Sequence, residues 1–216
     1  MATTLREIGF KLGYDVDKAS EKKAEDSIKS LKDTATKLLG AIGIGFSVVK
    51  INGLIEEFGA VNNGIRSIVD STEEAAEAQQ TVLKAANDCR MSYADMATTV
   101  SNLSKATGDI FNVDDAANYA AAVTKVMKTA GRSDSSITGV IESMNKSFQK
   151  GAVDTETLNK MLEDAPETAD VLAKHLGVAK NQLLDMASKG TIKVNDLKDA
   201  FLNSAEEIDA AYANVN

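Results

Sequence analysis

Tryptophan is absent from this 216-residue chain, aromatic residues make up only 5%, and proline, cysteine and histidine occur once each, as Pro166, Cys89 and His175. A single cysteine excludes an internal disulfide and fits a reducing compartment. The plain role for Cys89 is a small apolar filler on a helix. One histidine and one cysteine cannot supply the three or four nitrogen and sulfur ligands of a structural zinc site. A Cys–His nucleophile pair between them would lack a placeable base and oxyanion site. His175 falls in the last turn of its expected helix, where partial negative charge favours a cation. No Gly-rich loop ends in Gly-Lys-Ser or Gly-Lys-Thr, and no calcium-loop pattern occurs. The carboxylate pairs Glu73/Glu74, Asp114/Asp115, Glu163/Asp164 and Glu206/Glu207 stand beside no obvious aromatic cleft of the kind a glycosidase pair uses. The expectation is a protein that is not an enzyme, with no catalytic residues, no cofactor and no metal.

Long apolar runs are scarce as well. Met1 to Val16 mixes charges with its apolar residues and lacks the continuous core of a secretory signal. The most lipid-like stretch, residues 38–55 (LLGAIGIGFSVVKINGLI), contains Lys50, Asn52 and four glycines and is slightly short for a span of roughly 20 residues. Basic clusters with interleaved aromatics are missing too. The net charge is −8, which repels phosphate backbones, so nucleic-acid binding is not expected.

What remains is a chain rich in Ala, Leu, Ile, Val and Met. Its charge is divided unevenly. Residues 1–70 carry ten Lys/Arg and ten Asp/Glu, whereas residues 71–216 carry fourteen and twenty-two, so the whole excess of eight acids lies past residue 70. Three regions follow: an extended, strand-like segment over 1–17, a helical arm over 18–70, and an acidic helical domain over 71–216.

In the first region Ile8, Phe10, Leu12, Tyr14 and Val16 alternate with polar residues and glycine, the period of a strand with one apolar face. Such a strand needs a partner in another chain or in residues beyond this one; the other reading is a tail that is disordered in isolation. In the arm, Ala24, Ile28, Leu31, Ala35, Leu38 and Ile42 recur at 4, 3, 4, 3, 4, a narrow coiled-coil seam suited to one neighbouring helix. Both sets are expected self-association surfaces. Residues 42–48 alternate like a strand, but the longer helical pattern from about Ser47 to Asp70 is preferred.

The third region reads as short helices with short connections, which pack as sequential neighbours. Ser71-Thr-Glu-Glu74 opens a helix with Ala75, Ala78, Val82 and Ala86 on one face. Ser92 opens the next, with Met96, Val100 and Leu103, stopping at Gly108. Asp114 or Asp115 starts a third, with Tyr119, Val123, Val126 and Met127 inward and Gly131 as its stop. Ser133 caps a fourth, with Ile137, Val140, Ile141, Met144 and Phe148, ending at Gly151. Asp154 caps a fifth, with Leu158, Met161 and Leu162. Pro166 begins a sixth that runs through Val171 and Leu172 to Leu176 and Gly177. Leu183, Leu184 and Ala187 follow, stopped by Gly190. Asn195 caps a last helix carrying Leu197, Phe201, Ile208 and Tyr212. The fold class is all-α: a multi-helix bundle of short helices, a long N-terminal helical arm and one strand-like segment.

One connector recurs. Residues 151–162 and 190–201 share the pattern G-x-[VI]-x-[TV]-x-x-L-x-x-x-[LF], 39 residues apart. Glycine ends a helix, an apolar residue steps inward, a polar residue follows, and the new helix contributes Leu and Leu or Phe to the core. Two copies do not make a solenoid.

The stretch Phe148–Phe201 that contains both connectors resembles the N-terminal region of phage tail tape measure proteins. Gly151, Leu158, Pro166, Leu176, Gly177, Val178, Leu183, Gly190, Ile192 and Leu197 occupy that family's places, with Phe201 closing the pattern. The style of residues 79–131, and of the opening alternation feeding a charged helix, is similar. These are capping and packing residues rather than chemical ones. The resemblance implies a largely helical structural protein of the virion tail, made in the bacterial host cytoplasm, lying in the lumen of a growing tail tube and setting its length. It implies self-association as a homo-oligomer and contact with other tail proteins such as tube or chaperone. Members are usually far longer, so this chain is expected to be an N-terminal piece. The peptidase or muralytic modules of some members find no matching residue here. The alternative function is a membrane-active protein that inserts residues 38–55 in DNA entry or toxicity.

Overall fold

Alanine makes the central helix of this bundle. In the computed structural model, which describes residues 64–107 and 110–214, the helix α3 (Val113–Thr129) reads VDDAANYAAAVTKVMKT and buries Ala116, Ala117, Ala120, Ala121 and Ala122 together with Tyr119, Val123, Thr124 and Met127. Side chains this small occupy little radius, so neighbours can approach from most directions. They do: α3 packs against α1 (Thr72–Asp88), α2 (Tyr93–Thr107), α4 (Asp134–Lys150), α6 (Pro166–Leu176), α8 (Val194–Asn203) and α9 (Ala205–Ala213). The two remaining helices, α5 (Thr155–Asp164) and α7 (Leu183–Ser188), pack on each other, with α5 also against α4 and α6. A 3-10 turn, Lys180–Gln182, precedes α7. The fold is an all-α bundle of short helices, and the described residues belong to one unit, Ala60–Asn216.

Most of the predicted faces lie inside. Ala75, Ala78, Val82, Ala86, Met96, Val100, Leu103, Ile137, Val140, Ile141, Met144, Phe148, Leu158 and Met161 are all buried. Burial of such faces, rather than intrinsic helix propensity, stabilises helices of this length. The few aromatics are concentrated. The Tyr119 ring lies 5.2, 5.5 and 5.4 Å from those of Phe111, Phe148 and Phe201, in the tilted and edge-on geometries that aromatic quadrupoles favour. Its hydroxyl donates to Met144 Sδ at 3.2 Å, so the polar tip is not orphaned.

Helix starts are set by local side-chain bonds. Ser71 accepts from the Glu74 N–H, Ser92 from Asp95, Ser133 from Ser136 and Asp154 from Thr157, each satisfying a donor that the first turn leaves open. Two starts differ from the sequence expectation. The cap of α3 is Asn112, whose Oδ1 accepts from the Asp115 N–H at 2.7 Å; Asp114 and Asp115 occupy the first turn, where their charge complements the dipole. The helix α8 begins at Val194 rather than after Asn195. There the Asp196 carboxylate reaches back to the Lys193 N–H at 2.8 Å, the reverse half of a capping box, and no capping side chain is needed at Lys193. The last predicted helix is also two, α8 and α9, parted at Ser204. Asn203 and Ser204 are weak helix formers, and the break lets α9 lie along α3 with Lys125 paired to Asp209.

The predicted stop at Gly108, the strand-like segment over 1–17, the arm seam and the helix from Ser47 to residue 63 lie outside the described residues. Among the described residues, helices stop where glycine was expected: Gly131, Gly151, Gly177 and Gly190 have φ of 75, 76, 66 and 63°. After Gly131 the Arg132 N–H returns to Met127 and the Gly131 N–H to Lys128, the paired bonds of a Schellman ending.

Candidate functional site

The residues with chemical potential are placed in structural roles. Cys89 is fully buried at the end of α1, and burial pushes its thiol up, away from the thiolate that reacts. Tyr93 is pushed up to about 12 and Tyr119 well above its ordinary value, both by desolvation, so neither is set up as a base near neutrality. His175 is exposed in the last turn of α6. Asp114 accepts from Thr81, Asp164 pairs with Lys160 and Glu207 with Lys174. Among the described residues, no group of three or more His, Cys, Asp or Glu side chains could hold a metal.

The connectors are where the structure adds most. Gly151 and Gly190 end α4 and α7 in the left-handed conformation. The residues two positions on, Val153 and Ile192, are both completely enclosed, and so are Leu158, Leu197 and Phe201. Leu162, the counterpart of Phe201, is half-buried. The two connectors pair with each other. Ala152 and Lys193 form an antiparallel bridge, and the Val153 N–H donates to the Ile192 carbonyl at 3.0 Å. Val153 thus faces its own counterpart, and the two copies meet about a local two-fold. This bridge is the single β feature among the described residues.

The rest of the motif punctuates the same half. Pro166 is the first residue of α6, where its missing N–H costs no helix bond. Leu176 is half-buried at the end of α6, and Gly177 follows in the left-handed conformation. Leu183, the first residue of α7, is fully buried. Lys150 and Asp154 pair across the Gly151 connector; the ammonium holds the Asp154 carboxyl below the usual carboxylate range, and the carboxylate in turn raises Lys150.

Val126, which was expected to face inward with Met127, and Val171, which neighbours the buried Leu172, are placed alike. Both are half-buried and line a groove of about 260 Å³ among α3, α6 and the α8–α9 junction, with Ile208 and Ala211. Its charged rim is neutralised by pairing: Lys174 with Glu207, and Glu167 with Arg132, whose Nε and Nη2 reach its two oxygens at 2.9 and 3.0 Å. Adjacent positions on a helix differ by about 100° in direction, and at these two pairs the edge of the buried face falls between the neighbours. Periodicity alone does not say which neighbour is inside. The expected self-association residues Ile8, Phe10, Leu12, Tyr14, Val16, Ile28, Leu31, Leu38 and Ile42 lie outside the described residues.

The site is therefore one of packing and punctuation. A family model described as "Tape measure protein" matches residues 50–216. No curated protein and no solved structure gives a match.

Proposed function

The chain belongs to the tape measure protein family, which makes it a structural component of the phage tail, and on that premise we propose that it serves tail-length determination and tail assembly as a folded anchor rather than as the measuring rod itself. The observation that carries this reading is the folding-back of the matched region. Drawn out as one helix, residues 71–216 would extend on the order of 220 Å at ~1.5 Å per residue. Instead the longest described helices have 17 residues and return on one another around α3. A bundle with short connections gives up contour length for a fixed surface.

Self-association through Ile8–Val16 and the seam of Ile28, Leu31, Leu38 and Ile42, and contact with tube or chaperone proteins, belong to the same reading. What supports them is the family's place in the tail together with the apolar patterning of residues 1–70. The alternative, insertion of residues 38–55 into a membrane, draws on that apolar run alone. Among the described residues no helix is long and apolar enough to cross a membrane.

The test is an in-frame deletion of the codons for residues 71–216 in a phage carrying the gene, with virions inspected by electron microscopy. An anchor predicts loss of tails. A measuring rod predicts tails shortened by about 1.5 Å per deleted residue. Tails of unchanged number and length would remove both.

A further inference from the structure

Little holds α9 to the bundle. It buries one side chain, Ile208, whereas α8, one residue longer, buries Val194, Leu197, Ala200 and Phe201, and the six-residue α7 buries two. Helices this short are not stable alone, so burial of a face is what seats them. Among the described residues α9 packs chiefly on α3, with little against α8, and none of its backbone hydrogen bonds reaches outside residues 204–214.

Its other ties lie at the surface. Asp209 reaches Lys125 at 2.6 Å and Glu207 pairs with Lys174, but the two carboxylates are 58% and 68% exposed, and water reduces such ion pairs to a small contribution. The Tyr212 ring lies 5.6 Å from the guanidinium of Arg90, the left-handed residue (φ 56°) just past α1. The Tyr212 hydroxyl is enclosed without a hydrogen-bond partner, so the seat withholds a bond that water would give. Space is left on both sides of the helix. Towards α6 lies the groove of about 260 Å³ lined by Val126 and Val171, and towards α1 an open cleft of about 630 Å³ edged by Thr81, Asp88 and Asp209. The joint has no lock either. Ser204 alone parts α8 from α9, at φ −95° and ψ 7°, and its side chain makes no capping bond.

We propose that α9 is a hinged strap, which leaves its seat on α3 as a unit, turning about Asn203 and Ser204, while the rest of the bundle stays folded. Once unseated, a nine-residue helix does not keep its hydrogen bonds. Opening joins the groove to the cleft and uncovers Val126 and Val171, so the bundle gains an apolar strip across α3 and α6 that it covers when closed.

Native-state hydrogen exchange of the full 216-residue chain, followed by NMR at rising urea below the unfolding transition, tests this. The amides of Ile208 to Ala213 should share one opening that is nearly independent of urea. They should exchange at least about tenfold faster than Ala120 to Thr124 of α3, which wait for global unfolding. Ile208→Ala removes the one buried side chain and should speed all the α9 amides by a common factor of at least about tenfold. Tyr212→Phe removes the unbonded hydroxyl, keeps the ring under Arg90, and should slow them all by a common factor. The strap would be overturned by α9 amides that follow α3 in urea, or by protection that falls off residue by residue towards Ala213. Responses to the two substitutions confined to the neighbouring amides would overturn it equally.

Discussion

Glycine occupies two kinds of position in this bundle, and adding a methyl group should act with opposite sign at the two. Gly151 and Gly190 are left-handed, and a Cβ built at either meets nothing within 4 Å. The cost of Gly151→Ala or Gly190→Ala is then backbone strain alone, about 1 kcal/mol each. Gly139 lies inside α4, where a Cβ would rest 3.8 Å from Lys160 Cε, an ordinary contact. Gly139→Ala should instead stabilise by about 0.5–1 kcal/mol, because it removes backbone freedom from the unfolded chain and improves helix propensity. Urea unfolding of the three single variants checks both signs; a stabilised Gly151→Ala would mean that the connector does not need its left-handed turn. These positions were legible in sequence because a helix stop is a local event, decided within a few residues. So were the caps at Ser71, Ser92, Ser133 and Asp154. The cap of α3 was harder, since Asn112, Asp114 and Asp115 are all competent and only the frame of the following helix chooses among them. Arg90 gave no sign at all: nothing in the sequence marks an arginine as left-handed.

At the scale of elements, faces were readable and long-range meetings were not. The recurrence of Gly-x-Val and Gly-x-Ile announced two similar connectors, but nothing in a 39-residue spacing says that they pair with each other. That pairing makes a prediction. Val153 and Ile192 face each other across the bridge and are both fully enclosed. Ile192→Ala should cost about 2–5 kcal/mol through lost burial and the cavity left behind, and Val153→Ala somewhat less. Removing the second side chain after the first should cost less than removing it alone, because the shared contact has already gone; a coupling of at least about 0.5 kcal/mol is expected. A double-mutant cycle by denaturant unfolding measures it. Strict additivity would show that the two connectors are stabilised separately, by their own helices. The break at Ser204 belongs to the same class of feature. Local propensity is weak over Asn203 and Ser204, yet what fixes the bend is the seat of α9 along α3, a contact made far back in the chain.

On the scale of the whole molecule, charge and burial divide the work between the two parts of the chain. The described bundle encloses its own apolar faces, and the entire excess of eight acids lies past residue 70. Copies of such a surface repel one another, over a range set by a Debye length of about 8–10 Å near physiological salt and longer at low ionic strength. Residues 1–70 are balanced in charge and carry the alternating segment and the narrow seam, so any association of copies should originate there. Because Ile65 is fully buried and the bundle's unit starts at Ala60, the chain to compare with the full one begins at Ala60 rather than at Ser71. Light scattering should find the full chain as an oligomer and the shorter chain as a monomer. Raising the salt should leave the full chain associated, since apolar contacts strengthen rather than weaken as charges are screened. Two monomers would remove the seam and the alternating segment as contact surfaces, and an oligomer formed equally by the shorter chain would move the contact onto the bundle itself.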